Sequence, residues 1–496
     1  MKVVTPKEMS RIEKMAYDAG FSEELFMVQA GTGIAEVVVA YLKDHECGYH
    51  IVLLCGKGNN TGDAYVAGYL LLASGLTVTA LQVTPIEESS SLCRKQYEMF
   101  VKQGGKVTED KSVLYDAHLI VDGLFGTGFH GSLKEPFATV VQTANDMDVP
   151  IISVDIPSGL NGETGEVEGT AIKADVTVFL GLPKQGFFLQ SGWNHVGVLR
   201  EVNFGLPEEY ISQAQESFVM LSGSDLSLPE VIPSRHKYQA GCVMGVGGSP
   251  GMPGAAILAS LSALRMGAGI VKLLHPKGME AELAGAPYEL VRICYEEGQW
   301  GDAIETLKKA DALFVGPGIG KEDSVVEFIR KIFQAIEVPI VIDADALYHI
   351  AHHDISLPSQ AILTPHTGEL ARLLHLEKSE RPSVELLEKC QAYAEQHQII
   401  LVLKGGPTFI FSPDCSTVVS PFGCPGLASA GTGDVLTGMI AALAAQGKSP
   451  HSAACLGVAL HGLAGEFAEE DLTSYCMIAG DVIDYLPEAI DYIQAL

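Results

Sequence analysis

An acid set behind two glycines closes the run Ser429-Ala430-Gly431-Thr432-Gly433-Asp434, and a mostly apolar segment, 435–445, follows it. Glycines let backbone N–H groups approach an anion, and the positive end of a helix dipole favours negative charge there. Asp434 is therefore a carboxylate placed where an anion should bind. Beside a bound phosphate or metal it could serve as base, acid or ligand; with neither it is only an N-terminal helix acid.

Other stretches carry the same theme. Gly56-Lys57-Gly58-Asn59-Asn60-Thr61-Gly62-Asp63 follows an apolar run and opens a helical pattern, the context of a phosphate or cation loop. It lacks the Gly-Lys-Ser/Thr ending of a Walker loop and only approaches Gly-x-Gly-x-x-Gly. The amide oxygens of Asn59 and Asn60 suit a hard cation or a ribose–phosphate group. Asp122 ends an apolar run and precedes a glycine-rich loop through Ser132, and Asp155 stands likewise before Ile156-Pro157-Ser158-Gly159. One strand-end acid is usually a cap or turn residue. Three acids in loops at the ends of parallel strands, each with glycine nearby, point to a shared site.

The second half offers a different set. It comprises Gly245-Val246-Gly247-Gly248-Ser249 leading to Gly254-Ala255, then Gly316-Pro317-Gly318-Ile319-Gly320, Asp343-Ala344-Asp345, Thr364-Pro365-His366-Thr367-Gly368-Glu369 and Lys404-Gly405-Gly406-Pro407-Thr408. Together these suggest an adenine nucleotide: glycines approach its phosphates, Lys404 neutralises charge and the acids could hold magnesium. A lone histidine is more often structural. His366 stands in a Pro/Gly-rich loop at a strand end, where function concentrates.

The elements that must position these residues alternate. Short apolar strands at 51–55, 78–83, 118–122, 151–155 and 175–180 are interleaved with helical patterns at 64–74 and 90–103. A second alternating set runs through 242–247, 270–275, 312–315, 340–343, 361–363 and 399–403, with a hairpin at 408–411 and 417–419. This is the α/β pattern of parallel sheets covered on both faces, with ligands at the carboxyl ends of the strands. The region 8–46 reads as helical. The polar, Pro- and Ser-containing stretch 207–233 places a domain boundary near residue 222. The 496 residues are 47% apolar and 19% charged, enough for large cores, and the net charge of −29 argues against a nucleic-acid or anionic-membrane surface. The charge-free stretch 238–264 contains six glycines and two prolines, and so reads as strand, loop and buried helix rather than a membrane span. Ten scattered cysteines without a Cys-x-x-Cys, and no apolar leader at the N-terminus, suggest reduced thiols and a cytoplasmic protein.

Gly-Lys-Gly-Asn-Asn-x-Gly-Asp, Asp-x-Leu-Phe-Gly-Thr-Gly and Val-Asp-Ile-Pro-Ser-Gly resemble the N-terminal domain of the NAD(P)H-hydrate repair enzymes, epimerases of hydrated nicotinamide cofactors. The resemblance implies a Rossmann-like three-layer sandwich over 1–215. It further implies that Asn59, Asn60, Thr61, Gly62 and Asp63, with Gly126, Thr127, Gly128, Phe129, His130, Gly131 and Ser132, line the substrate. Asn60, Asp122 and Ser158 would ligate a potassium ion, and Asp155 would be the acid/base at the hydrated ring. This loop has Thr61 and Ala64 where the family usually has glycine. From Gly-Gly-Ser to Ala-Gly-Thr-Gly-Asp, the ordered motifs of the second half resemble the ADP-dependent dehydratase domain of the same enzymes. They imply a ribokinase-like α/β sandwich over 225–496. By that resemblance Ala255, Gly318, His366 and Asp434 contact the hydrated cofactor, NADHX or NADPHX. Lys404, Gly405, Gly406, Pro407, Thr408 and Gly433 contact ADP with magnesium, and Asp434 is catalytic. A homo-oligomer is the family expectation. The family's His-Lys-Gly-Asp-x-Gly is replaced by His236-Lys237-Tyr238-Gln239-Ala240-Gly241, so no role is given to that segment. Two alternatives stand beside this reading: a ribokinase-like small-molecule kinase with a regulatory N-terminal domain, and a non-catalytic adaptor, which should have lost the Asn-Asn loop and the acids kept here.

Overall fold

The computed structural model describes residues 1–495. Two compact units divide the chain: Met1–Phe218 together with Arg381–Val384, and Val219–Glu380 together with the chain from Glu385 onward.

The first unit is built on a seven-stranded sheet of β1 (His50–Cys55), β2 (Thr77–Gln82), β3 (Lys106–Thr108), β4 (Leu119–Gly123), β5 (Ile151–Val154), β6 (Val176–Leu180) and β7 (Val198–Val202), in the order β3-β2-β1-β4-β5-β6-β7. All its pairings are parallel. Alternate residues of β1 serve opposite faces, as strand geometry requires. Ile51 and Leu53 join one core with Ile34, Val38, Ala67 and Phe100, while Val52 and Leu54 join another with Ile120, Val141 and Ala144. The helices α1 (Pro6–Asp18), α2 (Glu23–Asp44), α3 (Asn59–Ala73) and α4 (Phe137–Asn145) cover this sheet. By length and composition α2 could cross a membrane, but here its Phe26, Ile34, Val38 and Leu42 are buried within the unit.

The second unit carries β8 (Cys242–Val246), β9 (Ile270–Pro276), β10 (Val291–Tyr295), β11 (Ala312–Val315), β12 (Ile340–Ile342), β13 (Ala361–Leu363), β14 (Ile400–Leu403), β15 (Phe409–Ser412) and β16 (Cys415–Val419). Their order is β16-β15-β14-β13-β12-β11-β8-β9-β10. The pairings are parallel except β14–β15 and β15–β16, the second of which is the expected hairpin. The helices that matter for the site are α5 (Pro253–Arg265), α6 (Asp345–His352), α7 (Thr367–Leu373), α8 (Thr432–Ala445) and α9 (Pro450–Cys476). From Val435 to Ala445 every residue of α8 is buried. It crosses α5 so closely that a Cβ on Gly438 would stand 1.9 Å from the Ala259 carbonyl oxygen, an approach only glycine permits.

Three expectations shift. The helical region 8–46 is two helices, broken at Gly20 (φ +99°) and restarted where Ser22 caps the Leu25 N–H. The 59–63 segment is not loop but the start of α3. Thr61 folds it back, its hydroxyl accepting from the Gly56 N–H at 2.8 Å and donating to the Gly123 carbonyl at 2.7 Å. Strands β3, β7 and β10 were missed because they are sheet-edge strands carrying Lys106, Arg200, Glu201 and Arg292, which mask the apolar pattern.

Candidate functional site

In the first unit the site gathers at the carboxyl ends of β1, β4 and β5. Asp155 follows β5 with a left-handed backbone (φ +62°), a conformation a non-glycine residue adopts only where surroundings enforce it. The enforcement is visible. Its N–H donates to the Val178 carbonyl at 2.8 Å, and its carboxylate pairs with Lys184, which is fully buried. Asp63, in the first turns of α3, is buried too, and no hydrogen bond to its carboxyl is found among the described residues. Burial, then the negative charges of Asp155 and Glu13, hold that carboxyl well above the usual range. Glu13 is pushed up to about 7, chiefly by burial. The site thus brings several acids around one lysine, with burial favouring the protonated form of Asp63 and Glu13.

Asn60 and Asp122 support it. The Asn60 amide donates to the carbonyls of Phe125 (2.7 Å) and Val154 (3.1 Å), joining the ends of β4 and β5. Asp122 accepts from Leu124 N–H, Ser153 Oγ, Ser158 N–H and Ser158 Oγ at 2.6–3.3 Å. Burial still raises its pKa despite those donors. Asn59 faces outward between Glu23 and Ser90. The 126–132 loop leaves β4 beside Asn60: a Cβ on Gly126 would come within 3.3 Å of the Asn60 side chain. Phe129 turns back to bond Gly126 and packs on Phe125, while Gly128, His130 and Ser132 are exposed, open to a ligand.

In the second unit Lys404, at the end of β14, donates to Asp343 Oδ1 at 2.7 Å, and Thr437 on α8 donates to Asp343 Oδ2 at 2.8 Å. Asp343 thereby locks the lysine to the helix that carries Asp434. Burial alone would lower the Lys404 pKa, but Asp343, Glu369 and Asp434 together hold it above the ordinary lysine value. Asp434 is pushed up to about 7, by burial first and then by Asp343. Gly431 caps α8 with a left-handed backbone (φ +96°), and a Cβ on Gly433 would stand 3.1 Å from Lys404 Nζ. The 430–433 turn and the ammonium therefore share one small space suited to a phosphoryl group.

His366 caps α7, its Nδ1 accepting from the Gly368 N–H at 3.0 Å while the Glu369 carboxylate accepts from the His366 N–H. Burial, with Lys404 nearby, lowers its pKa and favours the neutral ring. Gly318 (φ +63°) lies against α5, where its Cβ would meet Ala255 Cβ at 3.5 Å. Gly405 and Thr408 close on each other through the Thr408 hydroxyl at 3.0 Å. The structure groups Lys404, Gly433 and Asp434 directly, and Ala255 with Gly318. Sequence reasoning missed Lys184, Glu13 and Thr437, and read Asp343 among the acids that could hold magnesium, where the structure pairs it with Lys404 and Thr437. Lys184 offered one signal, a lone cation in the apolar segment after β6.

The metal expectations meet different fits. Beside Asn60 the Phe125 and Val154 carbonyls accept from the Asn60 amide and Asp122 accepts from Ser153 and Ser158, so a monovalent cation there would rely on the second lone pairs of these oxygens and on Asn60 Oδ1. For magnesium, no group of three or more His, Cys, Asp or Glu side chains forms a cage among the described residues, and Asp343 is spent on Lys404 and Thr437.

Comparison with known proteins follows the same division. A family model described as NAD(P)H-hydrate dehydratase matches residues 243–488, and one described as YjeF-related protein N-terminus matches 23–186. A bifunctional NAD(P)H-hydrate repair enzyme of Moorella thermoacetica is 35% identical, over 100% of this chain and 97% of the relative. One of Escherichia coli is 32% identical, over 98% and 93%. A ribokinase-like superfamily protein from Enterococcus faecalis superposes with a TM-score of 0.51 at 24% identity, covering 56% of this chain and 97% of that one, a likeness of fold.

Proposed function

We infer residue roles from one premise: the chain belongs to the bifunctional NAD(P)H-hydrate repair enzymes, combining an epimerase and a dehydratase of hydrated nicotinamide cofactors. The hydrated ring carries a hydroxyl on the carbon beside the ring nitrogen. In the first unit Asp155 takes the hydroxyl proton as the carbon–nitrogen bond opens to an aldehyde and the bond pair passes to the ring nitrogen and its conjugated carboxamide; closure on the other face re-forms the bond and the proton returns from Asp155. Lys184 fixes Asp155 through their ion pair, and burial holds the neighbouring Asp63 carboxyl well above its usual range. Loop 126–132 and residues 59–63 hold the nucleotide. A potassium ion would be held by Asn60 through its Oδ1, by Asp122 and by Ser158. It would supply positive charge against Asp122 and Asp155.

In the second unit ADP is the proposed donor. Hydroxide is a poor leaving group and phosphate a good one. Asp434 accepts the hydroxyl proton, the hydroxyl oxygen attacks the terminal phosphorus of ADP, and AMP departs. The ring nitrogen lone pair then expels phosphate, and loss of the adjacent ring proton restores the dihydronicotinamide. The N–H groups of the 430–433 turn and Lys404 receive the charge of the transferring phosphoryl. Magnesium would travel on the nucleotide phosphates and water rather than in a protein cage. Ala255, Gly318 and His366 hold the hydrated cofactor. The carrying observation is Asp434 near 7 beside Lys404 and a left-handed glycine turn: a base poised at neutral pH where an anion is stabilised. The test is a pair of variants assayed for both reactions. Asp434→Asn should nearly abolish dehydration and spare epimerisation, and Asp155→Asn should do the reverse. Retained dehydration in Asp434→Asn removes that residue from the mechanism. A homo-oligomer in the cytosol belongs to the same proposal, tested by sedimentation and fractionation.

A further inference from the structure

The structure assigns His461, on α9, a role as a positioning residue for the dehydratase reaction: it aims the Gly433 N–H by holding the other side of the same peptide group. This rests on the reading of the 430–433 turn as the phosphoryl site. His461 is buried, and its Nε2 lies 2.9 Å from the Thr432 carbonyl oxygen. The ring is neutral because burial pushes it down to about 4. A nitrogen facing a carbonyl at that distance must carry the hydrogen, so Nε2–H donates and the Thr432 carbonyl accepts.

That carbonyl and the Gly433 N–H belong to one planar unit, in which the C=O and N–H vectors point opposite ways. Fixing the carbonyl therefore fixes the direction of the N–H. Donation into the carbonyl also polarises the unit and strengthens the N–H as a donor, by about 10–30% in bond strength. Thr432 and Gly433 open α8, where the Val435 N–H bonds the Gly431 carbonyl at 3.0 Å, and His461 adds a bond from outside that helix. Gly431 has φ +96°, and glycines at 431 and 433 leave the backbone soft. The Thr432 hydroxyl lies 2.8 Å from the Leu427 carbonyl and 2.9 Å from the Ser429 carbonyl, and its single proton serves one of them at a time. Those contacts tie the turn to the residues just before it, whereas His461 ties it to a separate, well-packed helix. On the far side Lys404 Nζ stands 3.1 Å from where a Gly433 Cβ would be, so a small rotation of this peptide swings the donor away from the cation it works beside.

The test uses the full chain with His461→Leu, which removes the donor, and His461→Gln, which keeps an N–H donor at similar reach. ADP affinity is measured by calorimetry, and kcat and KM for dehydration are measured alongside epimerisation. We expect His461→Leu to weaken ADP binding and lower kcat/KM for dehydration by about 10- to 100-fold, the scale of a misplaced group. Epimerisation should stay at the wild-type rate, and His461→Gln should regain most of the loss. If His461→Leu does not fold, His461→Asn, too short to reach, should show the same loss. A merely structural role would lower the unfolding midpoint while folded enzyme kept its KM and ADP affinity, and that result overturns the proposal. So does a His461→Gln variant as impaired as His461→Leu. Gly433→Ala separates this from the underlying reading. ADP affinity sensitive to Gly433→Ala but not to His461→Leu removes His461 alone, and ADP affinity indifferent to both removes the turn from the nucleotide site and His461 with it.

Discussion

Replacing Asp434 with asparagine (Asp434→Asn) should stabilise the second unit while disabling it, and the stabilisation should depend on pH. The carboxyl moves from 3.8 to about 7 on folding, with burial the leading cause. A shift of about three units at 1.36 kcal/mol each sets a ceiling of about 4 kcal/mol. Asp434 is partly exposed, which screens part of that cost, so about 1–3 kcal/mol is the working expectation. Its place in the first turn of α8 works the other way, but a helix N-terminus favours a carboxylate by only ~0.3–1 kcal/mol, so burial wins. The sign follows from linkage. The folded state binds this proton more tightly, so stability falls as pH rises from about 4 to about 7, and the full cost is present above 7. Asparagine never ionises. Scanning calorimetry of both proteins from pH 4 to pH 8, with the second-unit transition identified by its response to ADP, checks this. The variant's advantage should be near zero at pH 4 and reach about 3–8 °C at pH 8. An advantage independent of pH, or an Asp434→Asn unit less stable at pH 8, would refute the reasoning that burial loads this carboxyl.

Three more outcomes are expected. Asp122→Asn places an amide where Ser158 and Ser153 both donate, and should lower first-unit stability by about 1–3 kcal/mol in urea unfolding. Lys184→Met leaves Asp155 buried without its partner. It should cost about 3–5 kcal/mol and abolish epimerisation while dehydration of the S hydrate continues, as chiral chromatography of the hydrate would show. Gly438→Ala drives a methyl into the Ala259 carbonyl and should destabilise the second unit by about 1–3 kcal/mol or more, read from its thermal midpoint.

The alternation of strands and helices was legible because buried parallel strands are continuous apolar runs: 51–55, 151–154 and 340–342 stand out as such. Chemistry was legible where backbone demands it, since glycines and strand-end acids are visible in sequence. The partners of those acids were not. Lys184 lies 29 residues beyond Asp155, and Thr437 lies 94 beyond Asp343. Nothing local to either residue reveals the pairing, which the sheet order creates. His461 is the plainest case: inside an apolar helix it reads as a core histidine, and only the fold shows which carbonyl it meets.

The central claim, that the Asp434 turn couples ADP cleavage to loss of water from a hydrated nicotinamide, is tested most directly by stoichiometry. S-hydrated NADH is mixed with ADP, and recovered dihydronicotinamide absorbance, AMP and inorganic phosphate are measured on the same sample. The account predicts one AMP and one phosphate for each NADH restored, with no phosphorylated ring compound accumulating. NADH recovery without ADP cleavage, or a stable phosphorylated product without recovery, would contradict it.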